Sequence, residues 1–129
     1  MSDKDAYELG RETARKIWGE ARANRVEKAL GGLSPGFQQF VMSSFALYAR
    51  PGLDQKTRSL CTVAALTVLG YRDELALHIR GALHNGATRQ EIEEVPIQMA
   101  AYGGVPASIG AFTTAKKVFE HDAPASTAA

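Results

Sequence analysis

The sequence is short of the residues that several kinds of protein chemistry require. Its 129 residues include a single cysteine, Cys61, which excludes an internal disulfide, a Cys-x-x-Cys redox pair and a cysteine-rich zinc site. The 15 Lys and Arg residues against 14 Asp and Glu residues leave a net charge of +1. A protein that binds nucleic acid by neutralising phosphates usually has a basic excess. We therefore expect no nucleic-acid partner.

Long apolar runs are also missing. The longest, residues 60–70, is about half of the roughly 20 residues that a membrane-spanning helix needs, and the charged N-terminus is unlike a signal peptide. Hydrophobic residues make up 45% of the chain and charged residues 22%, which is the balance of a globular protein. We expect a cytoplasmic protein with no membrane partner.

Glycine, proline and capping residues divide the chain into helices. Ser34 precedes Pro35 as an N-cap before a first-turn proline, and Asp54 is the N-cap candidate of the next helix. Thr88 and Glu91 form a capping box, and no stretch alternates like a strand. We predict an all-α protein of about six to seven helices, with a single domain over residues 1–121 and a disordered tail over 122–129. A linking stretch at 20–32 can add a short helix to those expected at residues 4–19, 34–48, 55–69, 73–85, 88–102 and 106–120.

One of these helices carries polar residues beside its apolar face. At about 100° per residue, a stripe roughly 80° wide holds Tyr71, Glu74, His78, Gly81 and Asn85. Glu74 precedes His78 by one turn, so its carboxylate can hydrogen-bond the imidazole, fix its tautomer and raise its pKa. An ordinary surface Glu–His pair is the alternative, and the spacing alone favours that alternative.

The remaining candidate residues have simpler interpretations. Cys61 lies on an apolar helix, which favours a small buried side chain over a reactive nucleophile. His84 lies near a helix end, where complementing the helix dipole is favoured over a ligand role. Arg25, Arg50 and Arg58 are each more typical of solvated or structural arginines than of anion clamps. No group of histidines and carboxylates has the spacing of metal ligands, so we predict no metal site.

Five motifs in close succession point to a known family. They are Arg50-Pro-Gly-Leu53, Thr57-Arg-Ser-Leu60, Glu74-Leu-x-x-His78, Asn85-Gly-x-Thr88 with Glu91-Ile92, and Tyr102-x-Gly-Val-Pro-Ala107. Together they resemble the carboxymuconolactone decarboxylase family over roughly residues 5–120. The resemblance implies the helical-bundle fold of the alkylhydroperoxidase proteins. It also places Tyr71 and Glu74 where those proteins carry their two redox cysteines, which argues against peroxidase activity.

The resemblance further implies an enzyme of the carboxy-lyase type. The family's characteristic member converts γ-carboxymuconolactone to the β-ketoadipate enol-lactone in aromatic catabolism, without a cofactor. By this resemblance His78 is the acid or oxyanion donor and Glu74 its orienting partner. Arg58 and Arg25 are expected to hold the dicarboxylate substrate, and Tyr71 is a further donor. A relative acting on a different small carbonyl or lactone compound is one alternative, and a non-catalytic helical oligomer is another.

The family also forms ring-like homo-oligomers, so a hexamer built as a trimer of dimers is expected here. The chain has more large apolar side chains than a small helical monomer readily hides; they include Trp18, Phe37, Phe40, Phe45, Tyr102, Phe112 and Phe119.

Overall fold

A computed structural model describes residues 2–122, and all regular structure within that range is helical, which confirms the all-α prediction. A 3₁₀ helix at Phe45–Ala49 separates the third and fourth of seven α-helices. These are α1 (Asp3–Trp18), α2 (Glu20–Leu33), α3 (Pro35–Ser44), α4 (Gln55–Leu69), α5 (Arg72–His84), α6 (Arg89–Gly103) and α7 (Val105–His121). Over residues 2–122, none of these helices has the length and apolar character needed to cross a membrane.

The capping residues begin the helices where the sequence predicts. The N–H of Phe37 donates to Ser34 Oγ at 3.3 Å, and the N–H of Glu91 donates to Thr88 Oγ1 at 3.0 Å. The N–H of Thr57 donates to Asp54 Oδ1 at 2.7 Å, and this hydrogen bond lowers the pKa of the Asp54 carboxyl. Each cap satisfies a backbone donor that the first turn of a helix leaves without an acceptor.

The helix expected at residues 34–48 ends early. Ser44 Oγ donates to the carbonyl of Val41 at 2.6 Å, and that carbonyl is the acceptor that the N–H of Phe45 would use in an α-helix. The N–H of Phe45 turns instead to the carbonyls of Met42 and Ser43. The last turn therefore tightens into the 3₁₀ helix.

The chain forms two compact units, one ending at Arg58 and the other beginning at Ser59. In the first unit α1 packs against α2, α3 and the 3₁₀ helix. Trp18 meets Phe45 edge-on, with ring centroids 5.0 Å apart and planes at 88°, an arrangement that aromatic pairs favour.

In the second unit α7 packs against both α5 and α6. Ser108 on α7 donates from Oγ to the carbonyl of Pro96 at 2.7 Å and so joins α7 to α6. Arg80 on α5 binds Asp122 with Nε and Oδ2 3.1 Å apart; residues 123–129, the rest of the predicted tail, lie outside the described range. The core of this unit includes Val63, Leu75, Ile79, Ala82, Ile92, Ala111, Ala115 and Val118.

One expectation about burial is wrong, and another holds in part. Cys61 is exposed, because α4 is apolar on most sides and only part of its circumference reaches the core. Of the seven large apolar side chains that the sequence indicates are more than a monomer readily hides, Trp18, Phe45 and Phe119 are buried. Four remain exposed, namely Phe37, Phe40, Tyr102 and Phe112.

Helices α1 and α3 approach each other closely at Gly10. A Cβ atom at this position would overlap the carbonyl oxygen of Met42 and lie 2.8 Å from its carbonyl carbon. Backbone cannot move aside as a flexible side chain can, so we predict that Gly10→Ala lowers the free energy of unfolding by about 2 kcal/mol. The matched control is Gly32→Ala on α2, where a Cβ meets nothing within 4 Å. It should raise stability by about 0.5–1 kcal/mol through helix propensity. Urea unfolding of both variants measures the difference; equal effects would contradict the close approach.

Candidate active site

A glycine turn sets the start of the helix that carries the candidate site. Gly70 ends α4 with φ of +74°, and the N–H of Tyr71 donates to the carbonyl of Leu66 at 3.3 Å while that of Gly70 reaches Thr67 at 3.2 Å. This pair of bonds is the Schellman motif, which favours glycine because an L-residue is strained at positive φ. Tyr71 is thus both the end of the motif and the residue that precedes α5.

The apolar face of α5 fixes how the helix is rotated. Leu75 and Ile79 are each 1% exposed and belong to the core of the second unit. His78 precedes Ile79, so it lies about 100° around the helix from a fully buried position. The imidazole is consequently half-buried at the edge of the core.

Burial controls the charge of His78. It lowers the pKa of the imidazole from 6.5 to about 4, and the nearby charge of Glu74, which raises the pKa, only partly opposes it. Glu74 does raise the pKa of His78, as the sequence predicts. The prediction of a raised pKa is nevertheless wrong, because burial lowers it by more. Moving an imidazolium ion out of water costs more free energy than its attraction to an exposed carboxylate regains. The imidazole is neutral near pH 7.

The other members of the predicted stripe differ in exposure along α5. Glu74 is exposed in the first turn of α5, and Tyr71 is 54% exposed just before it. Gly81 is buried. The stripe thus runs from open side chains at the start of α5 to a covered position in its third turn.

The far end of α5 is fixed by both backbone and side-chain bonds. Gly86 has φ of +94°, and the N–H of Ala87 donates to the carbonyl of Ala82 at 2.9 Å, a second Schellman turn. Asn85 Nδ2 donates to Ser59 Oγ on α4 at 3.1 Å. Sequence reasoning did not single out Ser59, although it lies within the Thr57-Arg-Ser-Leu60 motif.

The two predicted carboxylate-binding arginines both belong to the first unit. Arg25 is exposed on α2. Arg58 is engaged by its own loop: Nε donates to the carbonyl of Leu53 at 3.2 Å, and Nη2 donates to those of Arg50 and Pro51 at 3.3 and 3.2 Å. Arg58 therefore braces the Arg50-Pro-Gly-Leu53 motif, a role that the spacing of the two motifs could have suggested.

A separate groove of about 490 Å³ lies on the second unit between α6 and α7. Its lining includes Arg89, Glu93, Lys116, Glu120 and Phe119, and Arg89 is already engaged, with its guanidinium 5.1 Å from the Phe119 ring centroid. The residues of the α5 stripe do not line it.

Sequence comparison identifies the family of this chain. Residues 35–117 match the Carboxymuconolactone decarboxylase family. The chain belongs to this family. It is 39% identical over 123 residues to 4-carboxymuconolactone decarboxylase of Acinetobacter baylyi, covering 93% of this chain and 91% of that protein.

Two further relatives are less extensively matched. Nitrosuccinic acid decarboxylase of Metarhizium robertsii is 38% identical over 97 residues, which cover 71% of this chain and 68% of that protein. An uncharacterised 15.0 kDa protein of Paracoccus denitrificans is 43% identical over 77 residues, 58% of each chain. The expectation of a carboxy-lyase-type enzyme is confirmed at the level of the family.

The low pKa of His78 predicts how stability depends on pH. Well above pH 6.5 the imidazole is neutral in both the folded and unfolded chain and contributes no pH dependence. As the pH falls from 6.5 towards 4 the unfolded chain binds a proton that the folded chain does not, so stability is lost, by on the order of 3 kcal/mol at most.

Substitution His78→Gln should remove this loss. We expect the urea-unfolding free energy to fall less between pH 7 and pH 4.5 in the variant than in the unsubstituted protein, since all other groups titrate in both. The control is His84→Gln, at an exposed position of the same helix, which should keep the full loss. Parallel pH dependences for His78→Gln and the parent protein would show that the imidazole is solvated.

Proposed function

We propose that this chain decarboxylates γ-carboxymuconolactone, or a close lactone acid, to the β-ketoadipate enol-lactone in aromatic catabolism, without a cofactor. The observation that carries the proposal is the 39% identity to 4-carboxymuconolactone decarboxylase over almost the whole length of both chains. A cytoplasmic location is part of the proposal.

The chemistry of the substrate makes a cofactor unnecessary. The departing carboxylate is on the γ-carbon of an unsaturated lactone. When the bond to CO₂ breaks, its electron pair passes through the double bond to the lactone carbonyl oxygen and gives a dienolate. Protonation of the α-carbon then yields the enol-lactone. The protein has to stabilise negative charge on that oxygen and allow proton delivery to carbon.

His78 suits the first of these tasks as a neutral donor. With a pKa of about 4, only about one imidazole in a thousand carries the extra proton at pH 7. A neutral imidazole still has one N–H, which can hydrogen-bond the developing oxyanion. Of the two roles considered for His78, the low pKa therefore favours oxyanion donor over imidazolium acid. Glu74 stays the proposed orienting partner through its charge, because the single N–H cannot donate to the carboxylate and to the oxyanion at the same time.

Tyr71 and the two arginines complete the proposed set. Tyr71 is exposed beside the start of α5, where its hydroxyl is available as a further donor. Arg58 and Arg25 stay our proposed partners for the substrate carboxylates. In that role Arg58 would bind a substrate carboxylate while it keeps its hydrogen bonds to the loop carbonyls.

The relationship to nitrosuccinic acid decarboxylase favours one alternative substrate. Nitrosuccinate loses CO₂ from the carbon that bears its nitro group, and the electron pair passes to a nitro oxygen. The dienolate and the nitronate are alike in being delocalised carbanions with their charge on oxygen. One N–H donor serves either, so nitrosuccinate is the second substrate to be tested.

The test is CO₂ release from each acid. If His78 donates to the oxyanion, His78→Ala should lower kcat by about 10²–10³-fold, the usual cost of losing one such donor. Glu74→Gln should cost less, since the shape is kept and only orientation is weakened. The double variant should be little worse than His78→Ala, because the two residues act as one unit.

The matched control is His84→Ala, which removes an exposed imidazole from the same helix and should keep its turnover. Circular dichroism confirms that each variant is folded. Near-parental turnover in folded His78→Ala would refute the donor assignment, and turnover of neither acid by the parent protein would refute the proposed reaction.

We also propose that the chain assembles as a homo-hexamer, a trimer of dimers. Helices α6 and α7 leave Ile97 54%, Tyr102 83%, Val105 60% and Ile109 59% exposed, and exposed apolar side chains that form a group are typical of interaction surfaces. Light scattering should give about 83 kDa, six copies of 13.9 kDa. Tyr102→Glu with Ile109→Glu should lower the mass, whereas Gln90→Glu, an exposed polar position on α6, should not. A 13.9 kDa species of the parent protein at micromolar concentration would contradict the proposal.

A further inference from the structure

His78 lies midway between two fixed points on the α4–α5 hairpin. Seven residues before it, the Schellman turn at Gly70 and Tyr71 joins the two helices. Seven residues after it, Asn85 Nδ2 donates to Ser59 Oγ at 3.1 Å. Seven residues are almost two helical turns, so Tyr71, His78 and Asn85 lie on nearly the same side of α5.

The Ser59–Asn85 bond is well placed to resist movement of α5. Ser59 is 2% exposed and Asn85 is half-buried, so the acceptor Oγ is shielded from water that would otherwise compete for it. The backbone of Asn85 is held as well, by its N–H to the carbonyl of Gly81 at 2.9 Å and by the Schellman turn at Gly86. A rotation of α5 about its axis would have to break this bond.

We propose that Ser59 and Asn85 are positioning residues, which act through α5 to hold the imidazole of His78 in its donor orientation. The inference rests on the proposed role of His78. A hydrogen-bond donor stabilises a developing oxyanion only where its N–H points at that oxygen, and small misplacements cost large factors in rate. Loss of the bond should therefore lower kcat, while KM changes little.

A second buried serine provides the matched control. Ser108 is 4% exposed and, like Ser59, uses its hydroxyl in a bond within the second unit, although it donates where Ser59 accepts. The Ser108 bond joins α7 to α6 and does not involve α5. Ser59→Ala and Ser108→Ala each remove one hydroxyl and one interhelical hydrogen bond. Each should lower Tm by about 4 °C, so a loss of stability alone cannot separate them.

The variants are compared first by steady-state kinetics on whichever acid the parent protein turns over. We expect Ser59→Ala and Asn85→Ala to lower kcat about tenfold with KM within about threefold, and Ser108→Ala to keep kcat within about twofold. The Ser59→Ala, Asn85→Ala double variant should be no slower than the slower single variant, because both remove the same bond. Equal kcat in Ser59→Ala and Ser108→Ala would overturn the proposal.

A second readout does not depend on activity. The imidazole resonances of His78 are assigned by NMR in a chain that carries His84→Gln and His121→Gln, which leaves one of its three histidines. Ser59→Ala and Asn85→Ala should shift these resonances and the pH at which they titrate, and Ser108→Ala should not. Unchanged resonances would refute the positioning role, whereas shifted resonances without turnover of either acid would count against the proposed reaction alone.

Discussion

Burial of Leu75 and Ile79 determines what kind of group His78 can be. Both side chains are in the core, and helical geometry then leaves no choice about the position next to them. His78 therefore lies half-buried at the edge of the core. The free-energy cost of charging the imidazole there exceeds the stabilisation that the charge of Glu74 provides. The packing of the apolar face of α5 thus keeps the neighbouring imidazole of His78 neutral.

The ends of the helices follow from local sequence far better than burial does. Ser34, Asp54 and Thr88 cap the helices that the sequence assigns to them, since a cap is a contact between residues three apart. The end of the α-helix at Phe45, which the sequence does not predict, is equally local. It depends on whether Ser44 Oγ donates to solvent or to the Val41 carbonyl. The presence of a serine at position 44 does not indicate which of these acceptors its hydroxyl uses.

Burial depends on contacts that are distant along the chain, and there the sequence is less informative. Helix α4 is apolar around most of its circumference, so periodicity does not say which side reaches the core, and Cys61 was assigned to the wrong side. The stripe on α5 is different because its apolar and polar faces are distinct. Its members were placed correctly, yet the sign of the net pKa shift of His78 depends on how deeply the imidazole is covered, which periodicity does not measure. Ser59 was missed because its partner is 26 residues away.

The family relationship and the physical state of His78 constrain the chemistry in complementary ways. Two relatives decarboxylate acids whose electron sinks differ, an unsaturated lactone in one case and a nitro group in the other. A charged imidazolium would attract substrate carboxylates as strongly as it attracts the developing oxyanion, and so would stabilise the bound acid along with the transition state. In the proposed role, a neutral N–H that faces the reacting oxygen bonds it more strongly as negative charge accumulates there, and only that difference accelerates the chemical step. In the role proposed for it, an uncharged His78 would serve an acid with either electron sink, provided that each sink delivers its charge to an oxygen at the same place.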